Sequence, residues 1–209
     1  MFSDQDLAVM DSIIKRYPRS RSAIMPLLHY AQSKAGYVTN EGIELIAKLL
    51  TIETAEVSAV ATFYTQYKRK PVGQYHVGVC TNTLCAVMGG DAIFAGLKEH
   101  LGIENDGVTA DGKVSLEHIE CNAACDYAPV VMANWEFYDN QTVQSSKDLV
   151  DSMRQGNPTP PTRGPKSLPT WKENSAVLAG INDGRANEGV QAGEPTLLGL
   201  KIAKEKGAK

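Results

Sequence analysis

Two close pairs of cysteines constrain this chain more than any other feature: Cys80-Thr-Asn-Thr-Leu-Cys85 and Cys121-Asn-Ala-Ala-Cys125, with no other cysteine in 209 residues. Each pair begins where a predicted strand ends. Tyr75 to Val79 reads as an apolar strand that delivers Cys80, and Val114 to Glu120 alternates into Cys121. Residues 86–120 separate the pairs. A fold that uses all four thiols together must therefore bring two distant loops face to face within one compact domain.

The compartment decides what clustered cysteines mean. Met1 to Arg19 carries Asp4, Asp6 and Asp11 and lacks the apolar centre of a secretion signal. No apolar run approaches the ~20 residues that cross a bilayer. The expectation is a cytoplasmic chain without direct membrane insertion, where disulfides are rare and grouped cysteines signal metal or redox chemistry. A net charge of −3 gives no basic footprint for nucleic acid.

Four thiolates and no other protein ligand are the usual complement of a [2Fe–2S] cluster. Structural zinc also accepts four thiolates, although C-x4-C with C-x3-C is unlike the common paired C-x2-C knuckles. A thiol–disulfide catalyst presents C-x-x-C, which neither pair has. Spacing alone leaves cluster and zinc open. The residues between the cysteines, Thr81, Asn82, Thr83, Asn122, Ala123 and Ala124, are small enough to let backbone N–H groups approach sulfur. The acids Glu120 and Asp126 beside an anionic cluster are expected to lower its potential. None of His29, His76, His100 and His118 sits at ligand spacing from a pair, and His118, three residues before Cys121, is the one candidate for an auxiliary ligand.

The rest of the chain divides into three parts. Residues 1–70 read as a helical domain of four amphipathic segments. Ser3 caps the first, Gly36 closes the second over Ala23–Lys34, Asn40 caps the third, and the fourth runs from Thr54 to Tyr67. Residues 71–155 read as a small α/β domain: the strand into Cys80, a helix from Ala92 to Leu101 capped by Asp91, the strand into Cys121, and two strands at Val130–Asn134 and Glu136–Tyr138. A turn at Asp139-Asn140 is expected to make these a hairpin, and Ser145 or Ser146 to cap a last helix through Met153. Residues 156–209 open with five prolines between Asn157 and Pro169, and read as an extended or disordered tail. Alternatively they form an arm that docks on a partner, with Trp171 and Leu197 to Leu200 as anchors.

Flanking residues carry a resemblance. Ala61-Thr62-Phe63-Tyr64-Thr65, Lys70-Pro71-Val72-Gly73, Val79-Cys80 with Cys85, and Gly89-Gly90 form one stretch of it. Asp111-Gly112, Glu120-Cys121 with Cys125, Ala128-Pro129-Val130-Val131 and Asn134 form the other. Over roughly residues 12–153 the chain resembles the E subunits of bacterial NADH:quinone oxidoreductase (respiratory complex I), a thioredoxin-like [2Fe–2S] ferredoxin family.

The resemblance implies an α+β chain: an N-terminal helical bundle, a thioredoxin-like α/β domain and an irregular C-terminal tail. It implies one [2Fe–2S] cluster, with Cys80 and Cys85 on one iron and Cys121 and Cys125 on the other. It further implies electron transfer without a catalytic residue of the chain's own, in the peripheral arm of a complex at the cytoplasmic face of the cell membrane. The implied partners are a flavin-bearing, NADH-oxidising subunit and a large iron–sulfur subunit. FMN and NADH are expected on the partner only, since no glycine-rich phosphate loop opens a helix here. The same module serves NAD-linked hydrogenases and formate dehydrogenases, and a zinc-stabilised assembly module is the non-redox rival. One departure stands out: many relatives carry C-x-G-x-C in the second pair, and this chain has Ala123 there. If that position needs a positive φ, alanine costs about 1 kcal/mol.

Overall fold

The computed structural model describes residues 2–207. The helices are α1 (Asp4–Ile14), α2 (Ile24–Ala35), α3 (Asn40–Leu50), α4 (Thr54–Phe63), α5 (Thr83–Val87), α6 (Gly90–Leu101), α7 (Val143–Arg154), α8 (Trp171–Leu178) and α9 (Glu194–Glu205). The strands are β1 (Tyr75–Cys80), β2 (Gly107–Val108), β3 (Val114–Ile119), β4 (Val131–Ala133) and β5 (Glu136–Tyr138). The chain forms two compact units, one of residues up to Val72 with Pro169–Asp183, the other of Gly73–Leu168 with Gly184 onward.

The helical unit is built as its caps dictate. Ser3 and Asp6 form a reciprocal capping box at α1, and Gly36 at φ 87° ends α2. Thr39, rather than Asn40, caps α3. α4 stops at Phe63, four residues short of the expected end at Tyr67. Met10, Ile13, Leu27, Leu28, Ile46 and Val57 fill the core. Gln32 is fully buried among them and satisfied: its amide nitrogen donates to the Gln66 carbonyl at 3.2 Å, and its oxygen accepts from the Lys68 N–H at 2.8 Å.

The tail supplies this unit's last helix. Trp171 is 1% exposed, and its indole N–H donates to the Gly36 carbonyl at 2.7 Å. Lys172 Nζ donates to the Lys34 carbonyl at 3.0 Å. A side chain expected as a disordered or partner-seeking anchor is thus used within its own chain. The local signal for α8 is a Thr170–Glu173 capping box, hidden behind the prolines that precede it. Leu197, Leu198 and Leu200 on α9 do stand about half exposed.

In the second unit a five-stranded sheet has the order β2-β3-β1-β4-β5, with β1 and β3 parallel and the other neighbours antiparallel. Side-chain alternation splits it into two cores. Val77, Val79, Val131 and Ala133 face Ile93 and Leu97 of α6 and Leu149 and Met153 of α7. Cys80 and Met132 belong to a separate cluster with Cys85, Ile119, Ala124 and Val130. The hairpin between β4 and β5 turns at Asn134 and Trp135, whose φ values are 48° and 68°, not at Asp139-Asn140. Buried Asn134 accepts the left-handed turn because its side chain takes the His76 N–H at 2.7 Å. Thr142 caps α7, and Ser145 is its partner in the capping box, three residues in.

Candidate metal centre

The two cysteine loops leave the same end of two adjacent parallel strands. The β1–β3 register sets Cys80 beside Ile119, so Cys121 follows two residues after Cys80's neighbour. Parallel strands carry their following loops at a common edge, which is where open α/β sheets place their sites. The first loop climbs into α5, which brings Cys85 back over the strand end. Gly89 at φ 115° then turns the chain into α6. Gly90 lets that turn close: a Cβ there would stand 2.5 Å from the Cys80 carbonyl oxygen and 2.9 Å from that of Cys85. Asp91, the expected cap of α6, sits inside its first turn.

Cys80 and Cys85 are each 3% exposed, whereas Cys121 and Cys125 are exposed, and none is in a disulfide. Burial pushes the Cys85 thiol up to about 11, opposed by a Val130 backbone hydrogen bond and reinforced by the neighbouring Cys80. The Cys125 thiol is raised by its hydrogen bond and charge coupling to Cys121, and beyond those by Cys80 and Asp126. Ala124, from the loop between Cys121 and Cys125, packs in one buried cluster with Cys80 and Cys85, so the two loops meet there.

In the second loop Cys121 Sγ and Cys125 Sγ are 3.8 Å apart. Two thiolates ~2.3 Å from one tetrahedral metal stand roughly 3.8 Å apart, so this spacing needs little adjustment. Ala123 adopts φ 54°, the left-handed conformation that is costly for alanine, and its N–H points at Cys121 Sγ at 3.4 Å. Asn82, marked in the sequence only for its size, joins the loops. Its side-chain amide donates to the Ile119 carbonyl at 3.5 Å and to the Glu120 carboxylate at 3.3 Å. Spent in this way, it leaves α5 without a side-chain cap. Glu120 and Asp126 are solvent-exposed, which screens their effect on the centre.

Among the described residues no three His, Cys, Asp or Glu side chains converge on one point that would hold a single ion. The His118 ring lies edge-on to Phe94 of α6, 6.0 Å between centroids. His76 is buried between Ser115 Oγ at 2.9 Å and Glu117 Oε2 at 2.8 Å, in the body of the sheet.

Residues 10–154 match the family model of the thioredoxin-like [2Fe–2S] ferredoxins. The chain belongs to this family. Chains from Mycobacterium bovis and Mycobacterium tuberculosis, each named as the E subunit of NADH-quinone oxidoreductase, are 58% identical to it over 194 residues, 92% of this chain and 77% of theirs. The protein of that name from Rickettsia bellii is 42% identical over 156 residues, 73% of this chain and 93% of its own. Among solved structures, an NAD+-reducing [NiFe]-hydrogenase in the air-oxidised state aligns with a TM-score of 0.57 at 20% identity. That alignment covers 68% of this chain and 25% of the hydrogenase chain, and it shows a common fold. The α+β class, with a helical unit ahead of a mixed sheet, agrees with the family, which also accounts for a [2Fe–2S] cofactor. No helix among the described residues is long and apolar enough to cross a membrane.

Proposed function

We propose that this chain is the [2Fe–2S] electron-transfer subunit of the NADH-oxidising part of an NADH:quinone oxidoreductase, exchanging one electron with a flavin on a partner subunit. Cys80 and Cys85 hold one iron, and Cys121 and Cys125 hold the other. The observation that carries this is the pairing: two dithiol loops at one end of adjacent parallel strands, with one pair already 3.8 Å apart. A structural zinc site is the poorer fit, because C-x4-C with C-x3-C is unlike the common paired C-x2-C zinc knuckles. The two relatives at 58% and the one at 42% identity share a name from that respiratory enzyme, which supports the respiratory assignment.

Bound there, the cluster supplies a one-electron couple. The chain's own residues hold it and set its surroundings. Cys80 and Cys85 sit in an apolar wall with Ile119, Val130 and Met132, which keeps water from one side. Cys121 and Cys125 face outward and present the side from which a partner is reached. The Ala123 N–H offers a hydrogen bond to Cys121 sulfur, which favours the more negative, reduced state. The chain works as an electron carrier without its own substrate site, in a peripheral arm at the cytoplasmic face. Its partners are the flavin- and NADH-binding subunit and the large iron–sulfur subunit. The half-exposed leucines of α9, a helix that adjoins the Cys125 turn, are the surface this reading offers to a partner subunit.

Iron and acid-labile sulfide assays on anaerobically purified chain test the reading, with paramagnetic resonance after dithionite. Two irons, two sulfides and an axial signal are expected. Stoichiometric zinc without sulfide overturns it. The hydrogenase fold match favours one second reading, a diaphorase-type subunit of an NAD-linked hydrogenase, and co-purification of a hydrogenase large subunit would establish that instead.

A further inference from the structure

Tyr127, two residues beyond Cys125, is gripped twice by chain that lies outside the family's matched residues 10–154. In the first pass the Arg163 guanidinium stacks over the Tyr127 ring at 4.9 Å from its centroid and over Phe137 at 3.9 Å. Asp139 holds that guanidinium at 3.0 and 3.3 Å, and the Thr162 N–H donates to the Phe137 carbonyl at 2.9 Å. In the second pass the chain returns along the first. The Gly164 N–H donates to the Val190 carbonyl at 3.1 Å, and Glu188 accepts the Lys166 N–H at 3.1 Å. Gly193 then lies so close to the Tyr127 hydroxyl that a Cβ would overlap it. At the next turn the Thr196 hydroxyl donates to the Asp126 carboxylate.

Each contact has a physical reason. Gly193 provides no side chain to cap α9, and Asp126 puts a carboxylate at the helix's first turn, where negative charge is favoured. The Tyr127 hydroxyl is buried with no hydrogen-bond partner among the described residues, an unfavourable arrangement. The seat therefore persists because the surrounding contacts outweigh that penalty. A match of 194 residues is longer than residues 10–154, so the relatives at 58% identity share chain beyond the common family core.

We propose that the chain beyond residue 154 is a clamp on the second cysteine loop, in which Arg163, Gly193 and Thr196 act as positioning residues for Cys121 and Cys125 by fixing Tyr127 and Asp126. This rests on the reading that these two cysteines are cluster ligands. The exposed pair has no apolar wall of its own, and the clamp supplies rigidity that the buried pair obtains from the sheet. The bond from Thr196 also holds the Asp126 carboxylate on α9 and moderates its charge beside Cys125.

The test uses the full chain carrying its cluster, with Thr196→Val, Thr196→Ser and Gly193→Val compared with the parent. The readouts are the half-life of the visible absorption under a chelator, the midpoint potential, and far-ultraviolet circular dichroism. Losing one charge-assisted hydrogen bond in Thr196→Val is expected to shorten the half-life about threefold to tenfold and to shift the potential downward, with helix content unchanged. Thr196→Ser is expected to restore both. Gly193→Val is expected to shorten the half-life further. Parent-like half-life and potential in Thr196→Val overturn the clamp even if Gly193→Val fails to fold. A parent chain without iron and sulfide overturns the cluster reading itself, and that outcome is separately readable.

Discussion

The two cysteine pairs are chemically alike and structurally opposite. Cys80 and Cys85 lie in an apolar wall, on a strand end and a short helix, and their loop is closed by Gly89 and Gly90. Cys121 and Cys125 lie in an exposed loop that contains a left-handed alanine and is met by chain beyond residue 154 at Tyr127 and Asp126. The contrast teaches that a symmetric set of proposed ligands can be held asymmetrically. One half is fixed by the core of the domain, and the other stands exposed at its surface.

Ligand replacement breaks this contrast most severely. Serine at position 85 would bury a hydroxyl among apolar side chains, so Cys85→Ser is expected to reduce iron and sulfide to background. Cys125→Ser keeps a solvated oxygen ligand in the outer loop and is expected to retain part of the cluster with an altered resonance signal. Equal loss in both variants would remove the asymmetry.

Gly90→Ala strikes the rigid half. Its Cβ meets backbone rather than a movable side chain, so destabilisation of about 1–3 kcal/mol is expected in thermal unfolding. A smaller effect appears in the metal-free chain as a function of pH. The Cys85 thiol, raised to about 11 from an ordinary 9.0, holds its proton more tightly folded than unfolded. Its contribution to stability is full below pH 9 and is lost as pH rises through 11. Alkylation should accordingly label Cys121 and Cys125 well before Cys85, with mass spectrometry of the peptides as the check. Simultaneous labelling would contradict the burial difference.

The smallest expected effect sharpens the comparison at the outer loop. Ala123→Gly removes the side-chain penalty at φ 54° and should stabilise the chain by about 0.5–1 kcal/mol in denaturant unfolding. An unchanged midpoint would mean that the loop relaxes away from the left-handed conformation when the cluster is bound.

Much of the fold is legible in the sequence because its signals are local. The capping box at Ser3, the stop at Gly36 and the strands leading into each pair follow from interactions spanning four residues or fewer. The C-x-G-x-C pattern of the family that the chain resembles raises the expectation of a positive φ at position 123, and Ala123 adopts φ 54°. The misplaced hairpin turn shows the limit. Asp139-Asn140 has turn composition, yet Asn134-Trp135 makes the turn because Asn134 is tied to the distant His76 N–H. α8 escapes a local reading for a related reason, since an eight-residue helix is marginal alone and is held by a buried Trp171 against α2.

Chain chemistry alone settles which atoms are available: four thiols, spaced for two metals or one, with small residues between them and flanks that mark the family. Which thiols are buried, that Asn82 ties one loop to the other, and that the tail folds back on Tyr127 all depend on the pairing of β1 with β3 and on contacts between residues tens of positions apart. Such contacts form only when packing outweighs the entropy of closing long loops. No local pattern of residues encodes that balance, and the tertiary fold alone resolves it.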